Sequence, residues 1–194
     1  MANSNIIDYI TIASAGNATD FGDLTQSKKD CSSASNSIRS ITFGGETSDR
    51  VNVIEYITIA STGNGTDFGD LSVAWMNPAS GASTTRAICI GGTIAGGSFG
   101  DIEYVTIAST GNSTDFGDVL QESEYPAAAG SNTRLLKAGG GNSGARNEIE
   151  YITIASTGNG TDFGDLSVAR DRTPAGASDK GSYAVFMGGS GPSN

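Results

Sequence analysis

Ile54-Glu55-Tyr56-Ile57-Thr58-Ile59-Ala60-Ser61-Thr62-Gly63-Asn64-Gly65-Thr66-Asp67-Phe68-Gly69-Asp70 is written four times in this chain with small changes. The copies begin at Ile7, Ile54, Ile102 and Ile149, and their anchoring tyrosines are Tyr9, Tyr56, Tyr104 and Tyr151, so the spacing is 47, 48 and 47 residues. A fixed period of this length is the signature of a stacked or circular array of like units. Residues 1–194 therefore read as one array, a single domain of four repeats.

Within one unit, residues 54–61 are rich in β-branched and aromatic side chains, which reads as a strand. Ile54 and Tyr56 fall on one face, and Ile57 and Ile59 on the other. A strand apolar on both faces is expected to be covered on both. Gly63-Asn64-Gly65 is turn chemistry, and residues 66–71 return as a second strand. Small residues over 79–85 suit an innermost strand crowded by its neighbours. Residues 86–90 form a short apolar strand that ends in Gly91-Gly92, and the same pair recurs at Gly44-Gly45, Gly139-Gly140 and Gly188-Gly189.

Composition agrees with an all-β array. Glycine supplies 28 of 194 residues, about twice its usual share, as many short strands with tight turns require. Lys and Arg total 11 against 21 acids, a net charge of −10, which argues against nucleic-acid binding by phosphate neutralisation. No apolar run reaches membrane length and nothing near Met1 resembles a signal peptide, so a soluble chain without membrane insertion is expected. Cys31 and Cys89 occupy non-equivalent places in their repeats. Small buried hydrophobes is the simpler reading, with a disulfide as the alternative.

The order Gly-Gly, then Tyr, then Phe resembles the kelch repeat. Gly44-Gly45 leads to Tyr56 and Phe68, Gly91-Gly92 to Tyr104 and Phe116, and Gly139-Gly140 to Tyr151 and Phe163. Arg39, Arg86 and Arg134 recur before the Gly-Gly. The chain departs in having Phe where kelch repeats usually have Trp, and in having Lys180-Gly181 near the fourth Arg position. The resemblance implies a kelch-like β-propeller of four blades of about 47 residues, with one blade shared between the N- and C-terminal strands. A dimer forming one eight-bladed ring is the alternative geometry.

In such a blade the variable stretches fall on one face. They are residues 46–53, 93–101 and 141–148, together with 25–30, 72–78, 119–126 and 167–174. That face carries Lys28, Lys29, Arg50, Trp75, Tyr125, Arg170 and Arg172. Trp75, Tyr125, Arg50, Arg170 and Arg172 are the candidate ligand- or partner-binding residues, since variable loops on a rigid scaffold commonly carry binding. Loop drift, and a partly buried loop-anchor role for Trp75, are the bland alternatives.

Catalytic signals are weak. With no histidine in the chain, Ser-His-Asp and Cys-His catalysis and the usual histidine metal sites are excluded. Asp20, Asp67, Asp115 and Asp162 recur in every unit, each followed three residues later by a second Asp. Repetition marks them, with Tyr9, Tyr56, Tyr104 and Tyr151, as structural. Each Asp is expected to accept backbone N–H bonds in its turn or to pair with the neighbouring Arg, with calcium as the functional alternative. No catalytic residue, cofactor or metal is assigned.

The near-identical units also look like the kelch-like repeats of tail-fibre and other virion proteins of marine bacteriophages. That implies a non-enzymatic structural or binding protein on a virion or extracellular particle surface. Its partners would be other virion proteins or a host-surface glycan or protein, with homo-oligomers possible. The alternatives are a self-assembling structural protein that stacks into rings, filaments or a coat, and a glycan-processing enzyme.

Overall fold

A computed structural model describes residues 2–173, 175–177 and 182–191; Pro174, Lys180 and Gly181 lie outside them. Among the described residues every regular element is a strand. Three four-stranded antiparallel sheets follow one another along the chain. The first is β3 (Ser32–Ser35), β4 (Arg39–Phe43), β5 (Val53–Thr58) and β6 (Thr66–Asp70). The second is β7 (Ala79–Ala82), β8 (Arg86–Ile94), β9 (Gly97–Thr106) and β10 (Thr114–Asp118). The third is β11 (Ala127–Gly130), β12 (Arg134–Ala138), β13 (Glu148–Thr153) and β14 (Thr161–Asp165). Two-stranded sheets stand at either end: β1 (Ser4–Tyr9) with β2 (Thr19–Lys28), and β15 (Ala175–Ala177) with β16 (Ala184–Phe186).

The repeat fixes the register as well as the strands. Ile41, Ile88 and Leu136 lie opposite Tyr56, Tyr104 and Tyr151 in the three complete sheets. Each unit also carries a bulge where the repeat's phenylalanine is inserted, as between Ile54 and Glu55 opposite Asp67 and Gly69. Gly69 sits there at φ +147°, and a Cβ at that position would lie 2.4 Å from the Gly111 carbonyl oxygen of the next unit. Only glycine permits that approach.

Two apolar cores lie between successive sheets. Ile41, Phe43, Ile54, Phe68, Leu71 and Trp75 meet Ala87, Cys89, Val105 and Ile107. Ile88, Ile90, Ile102 and Phe116 meet Leu135, Ile152 and Ile154. Ala87 and Cys89 thus face one core while Ile88 and Ile90 face the other, the alternation of a strand buried on both sides. The repeat tyrosines brace each unit. Tyr56 meets Phe68 edge-on with ring centroids 5.7 Å apart, and the Arg39 guanidinium lies 4.4 Å above the Tyr56 ring. The same trio recurs as Arg86–Tyr104–Phe116 and Arg134–Tyr151–Phe163, and the pair Tyr9–Phe21 repeats its aromatic part. Each ring pair adds about 0.5–1.5 kcal/mol beyond its burial.

The terminal strands depart from expectation. Among the described residues β1–β2 and β15–β16 are separate two-stranded sheets and not one shared blade. The innermost strands touch in the sequence β3, β7, β11, β15, and β15 makes no comparable contact with β3. Among the described residues β16 is not paired with β1.

Candidate functional site

The two sets of variable loops are hydrogen-bonded to each other. Isolated bridges join Lys29 to Glu46, Met76 to Thr93, Glu124 to Gly141 and Asp171 to Ser190. Each joins the loop that enters an innermost strand to the residue just past a Gly-Gly pair. The Gly-Gly pairs also bind the next unit: Gly45 donates to the Trp75 carbonyl at 3.0 Å, and Gly140 donates to that of Arg170 at 3.0 Å. A Cβ on Gly44 would stand 2.5 Å from the Trp75 oxygen.

Beside these bridges lies a position that recurs 21 residues after each repeat tyrosine, occupied by Asp30, Asn77, Tyr125 and Arg172. All four have left-handed backbone, with φ of 56°, 54°, 53° and 50°. Neighbours touch through the main chain: Asn77 donates to the Asp30 carbonyl at 2.7 Å, and Arg172 to that of Tyr125 at 3.3 Å. Asp and Asn tolerate this conformation, but Tyr and Arg are uncommon there and strained. The two strained residues are stacked, with the exposed Arg172 guanidinium 4.0 Å above the Tyr125 ring. The Asn77 side-chain nitrogen is buried and has no hydrogen-bond partner. One backbone conformation therefore carries an acid, an amide, a phenol and a guanidinium in successive units, joined in the pairs Asp30–Asn77 and Tyr125–Arg172. The sequence reading singled out Tyr125 and Arg172 but passed over Asp30 and Asn77, although the constant offset from the tyrosine was there to find them.

The other candidates do not join the Tyr125–Arg172 pair. Trp75 is fully buried, with its ring 4.7 Å from that of Phe99; it anchors the loop in the core and offers no surface. Arg170 donates to the Phe186 carbonyl at 3.1 Å and ties the last loop to β16. Arg50 closes its own loop through a bridge to Glu46 and does not join the Tyr125–Arg172 pair. Lys28 is not on the loop face, since it is buried in an ion pair with Glu55 at 2.6 Å.

That ion pair belongs to a second repeated feature, a buried carboxylate in the third strand of each complete sheet: Glu55, Glu103 and Glu150. Each accepts a backbone N–H from the preceding unit, of Thr25, Ser72 and Leu120 respectively. Their remaining partners differ. Glu150 pairs with Lys137 at 2.9 Å, while Glu103 is bound by the hydroxyls of Ser72 and Ser113. Burial lowers the Lys137 ammonium below its ordinary value, with Glu150 opposing.

The recurring aspartates act within their turns. Asp115 and Asp162 accept the N–H of Gly117 and Gly164 through Oδ1, at 3.0 and 3.2 Å. Asp20 and Asp67 hold the same register opposite Asp8 and Glu55. The arginines do not pair with them. Arg39 and Arg86 instead donate to the carbonyls of Ile107 and Ile154 at 2.8 and 2.9 Å. Both cysteines are free thiols, and burial pushes Cys89 well up, with Glu103 adding to the effect. No helix is long and apolar enough to cross a membrane among the described residues, and among them no three acidic or cysteine side chains converge as metal ligands would. Compared with known proteins, the chain matches no family model, and none of the curated proteins matches it.

Proposed function

We propose that this chain is a non-enzymatic binding and structural module, built as a kelch-like β-propeller array and carried on a virion or other extracellular particle surface. Its role is to present one loop face to a host-surface glycan or protein, or to another virion protein. The observation that carries this reading is the set Asp30, Asn77, Tyr125 and Arg172. Four chemically different side chains stand at one repeat position, on a backbone conformation that two of them adopt only under strain. A scaffold selected for stability alone would use Asn or Gly throughout. An aromatic ring stacked under a guanidinium gives a flat apolar face with a charged rim, suited to a sugar ring or a peptide side chain. The virion setting rests on the repeat's resemblance to phage fibre proteins.

The test is binding of the labelled chain to a glycan array and to intact host cells, beside Tyr125→Ala and Arg172→Ala. Both variants are expected to keep the wild-type circular dichroism and to lose at least tenfold in affinity, about 1.4 kcal/mol. Unchanged binding by both would remove the loop face from the function.

A further inference from the structure

Three junctions between consecutive units are made by the same contacts. The turn glycine of one unit donates to the phenylalanine carbonyl of the unit before it: Gly63 to Phe21 at 2.8 Å, Gly111 to Phe68 at 2.7 Å and Gly158 to Phe116 at 2.7 Å. The adjoining asparagine accepts from an aspartate N–H through Oδ1: Asn64 from Asp23, Asn112 from Asp70 and Asn159 from Asp118. The strand arginine reaches forward to an isoleucine carbonyl, as Arg39 does to Ile107 and Arg86 to Ile154.

One further set of these groups is present and unjoined. Phe163 and Arg134 wait on the third sheet. Their counterparts Gly16, Asn17 and Ile12 lie on the N-terminal half-sheet. Exposure marks the gap: Phe163 is 53 % exposed against 2 % for Phe68 and Phe116, and Ile12 is 97 % exposed against 1 % for Ile107 and Ile154. A Cβ on Gly164 would meet nothing within 4 Å, whereas the equivalent one on Gly69 would strike the next unit's turn. Two clefts mark the vacant seats. One, of about 450 Å³, lies between Phe163, Leu136 and Arg134 of the third sheet and Phe186 of the last half-sheet. The other, of about 280 Å³, lies between Ile7 of β1 and Ser40 and Tyr56 of the first sheet. The first has the place of a third and fourth strand, and the second that of a first and second strand.

We infer that two copies of this chain join head to tail through a composite sheet, in which β1–β2 of one copy completes β15–β16 of the other. β1–β2 supplies the third and fourth strands of a unit, and β15–β16 supplies the first and second. The internal sheets give the register. Phe43 pairs with Ile54 and Ile41 with Tyr56, which places Met187 opposite Ile7 and Val185 opposite Tyr9. The occupant is a second copy because, within one copy, β1–β2 is already seated on the first sheet through Gly63 and Phe21, while β15 is seated on β11 of the third sheet and, among the described residues, the two half-sheets are not paired with each other. The two contacting surfaces are unlike patches, so repetition closes a ring of copies or extends a filament. This inference rests on the array reading above and not on the ligand of the loop face.

The test uses the full chain with Cys31→Ser, leaving only the buried Cys89. Tyr9→Cys and Val185→Cys are made singly, mixed and oxidised. Facing cross-strand positions lie within disulfide reach, so a covalent dimer is expected in the mixture and in neither variant alone. Adding Ile12→Asp to the Tyr9→Cys chain should abolish the cross-link while leaving circular dichroism unchanged, because Ile12 is solvated in a single copy. Absence of a cross-link in the mixture overturns the inference. So does an internal disulfide at monomer mass when both cysteines are placed in one chain. Either failure leaves the Tyr125 and Arg172 binding test standing.

Discussion

Replacing Trp75 with alanine separates a loop ligand from a core anchor. The side chain has no exposed surface, packs against Phe99 and sits in the core between the first and second sheets. Truncating a buried Trp costs about 3–5 kcal/mol, from lost transfer energy and the cavity left behind. Domains of this class have total stabilities of about 5–15 kcal/mol, so the loss is a large fraction of the whole. At about 2–4 °C per kcal/mol for a chain of this size, the melting midpoint should fall by roughly 6–20 °C. Thermal melts by circular dichroism read this directly. In the wild type, fluorescence of the single tryptophan reports when that junction opens. A Trp75→Ala protein that melted like the wild type and lost only ligand affinity would refute the placement of Trp75 in the core.

Three further outcomes are expected. Lys137→Met leaves the Glu150 carboxylate buried without its cation and should destabilise by about 3–5 kcal/mol, while Lys137→Met with Glu150→Gln should recover most of that loss; equal destabilisation of the single and double variants in urea titrations would contradict the pairing. Burial first, and then Asp118 across the strand pair, hold the Asp101 carboxyl above its ordinary value. The folded state therefore binds that proton more tightly than the unfolded state, so this contribution to stability is full at low pH and is lost as pH rises through the folded value. Asp101→Asn should accordingly raise the melting midpoint at neutral pH, with the gain shrinking below pH ~4, and a pH-independent difference would count against it. Tyr125→Asn relieves a left-handed aromatic residue and should stabilise by about 1 kcal/mol while weakening binding; a destabilised variant would argue against strain at that position.

What the sequence made legible is what repetition amplifies. Strand order, the Gly-Gly ends and coverage of the sheets on both faces followed from four copies of one pattern, because a period-2 strand apolar on both faces has one simple explanation. Individual loop residues were harder. Trp75 and Lys28 both lie in stretches that vary between units, and variation alone cannot tell a surface contact from an anchor turned inward. Lys28 is buried only because Glu55 of the neighbouring unit supplies its counter-charge, a long-range pairing that no local pattern records. Asp30 and Asn77 were passed over for the opposite reason, since they look like ordinary turn residues until their shared φ sets them beside Tyr125 and Arg172. Counting strands does not decide closure into a ring. Sixteen strands satisfy four sheets on paper, but the angle between sheets decides whether the first half-sheet meets the last.

The most direct test of the central claim, that like units join through one repeated junction with one set left open, is the solution mass of the wild-type chain by light scattering across a concentration series. The account predicts a species of at least twice 19.6 kDa that Ile12→Asp returns to monomer mass without loss of circular dichroism. A wild-type mass of 19.6 kDa at every concentration would contradict it.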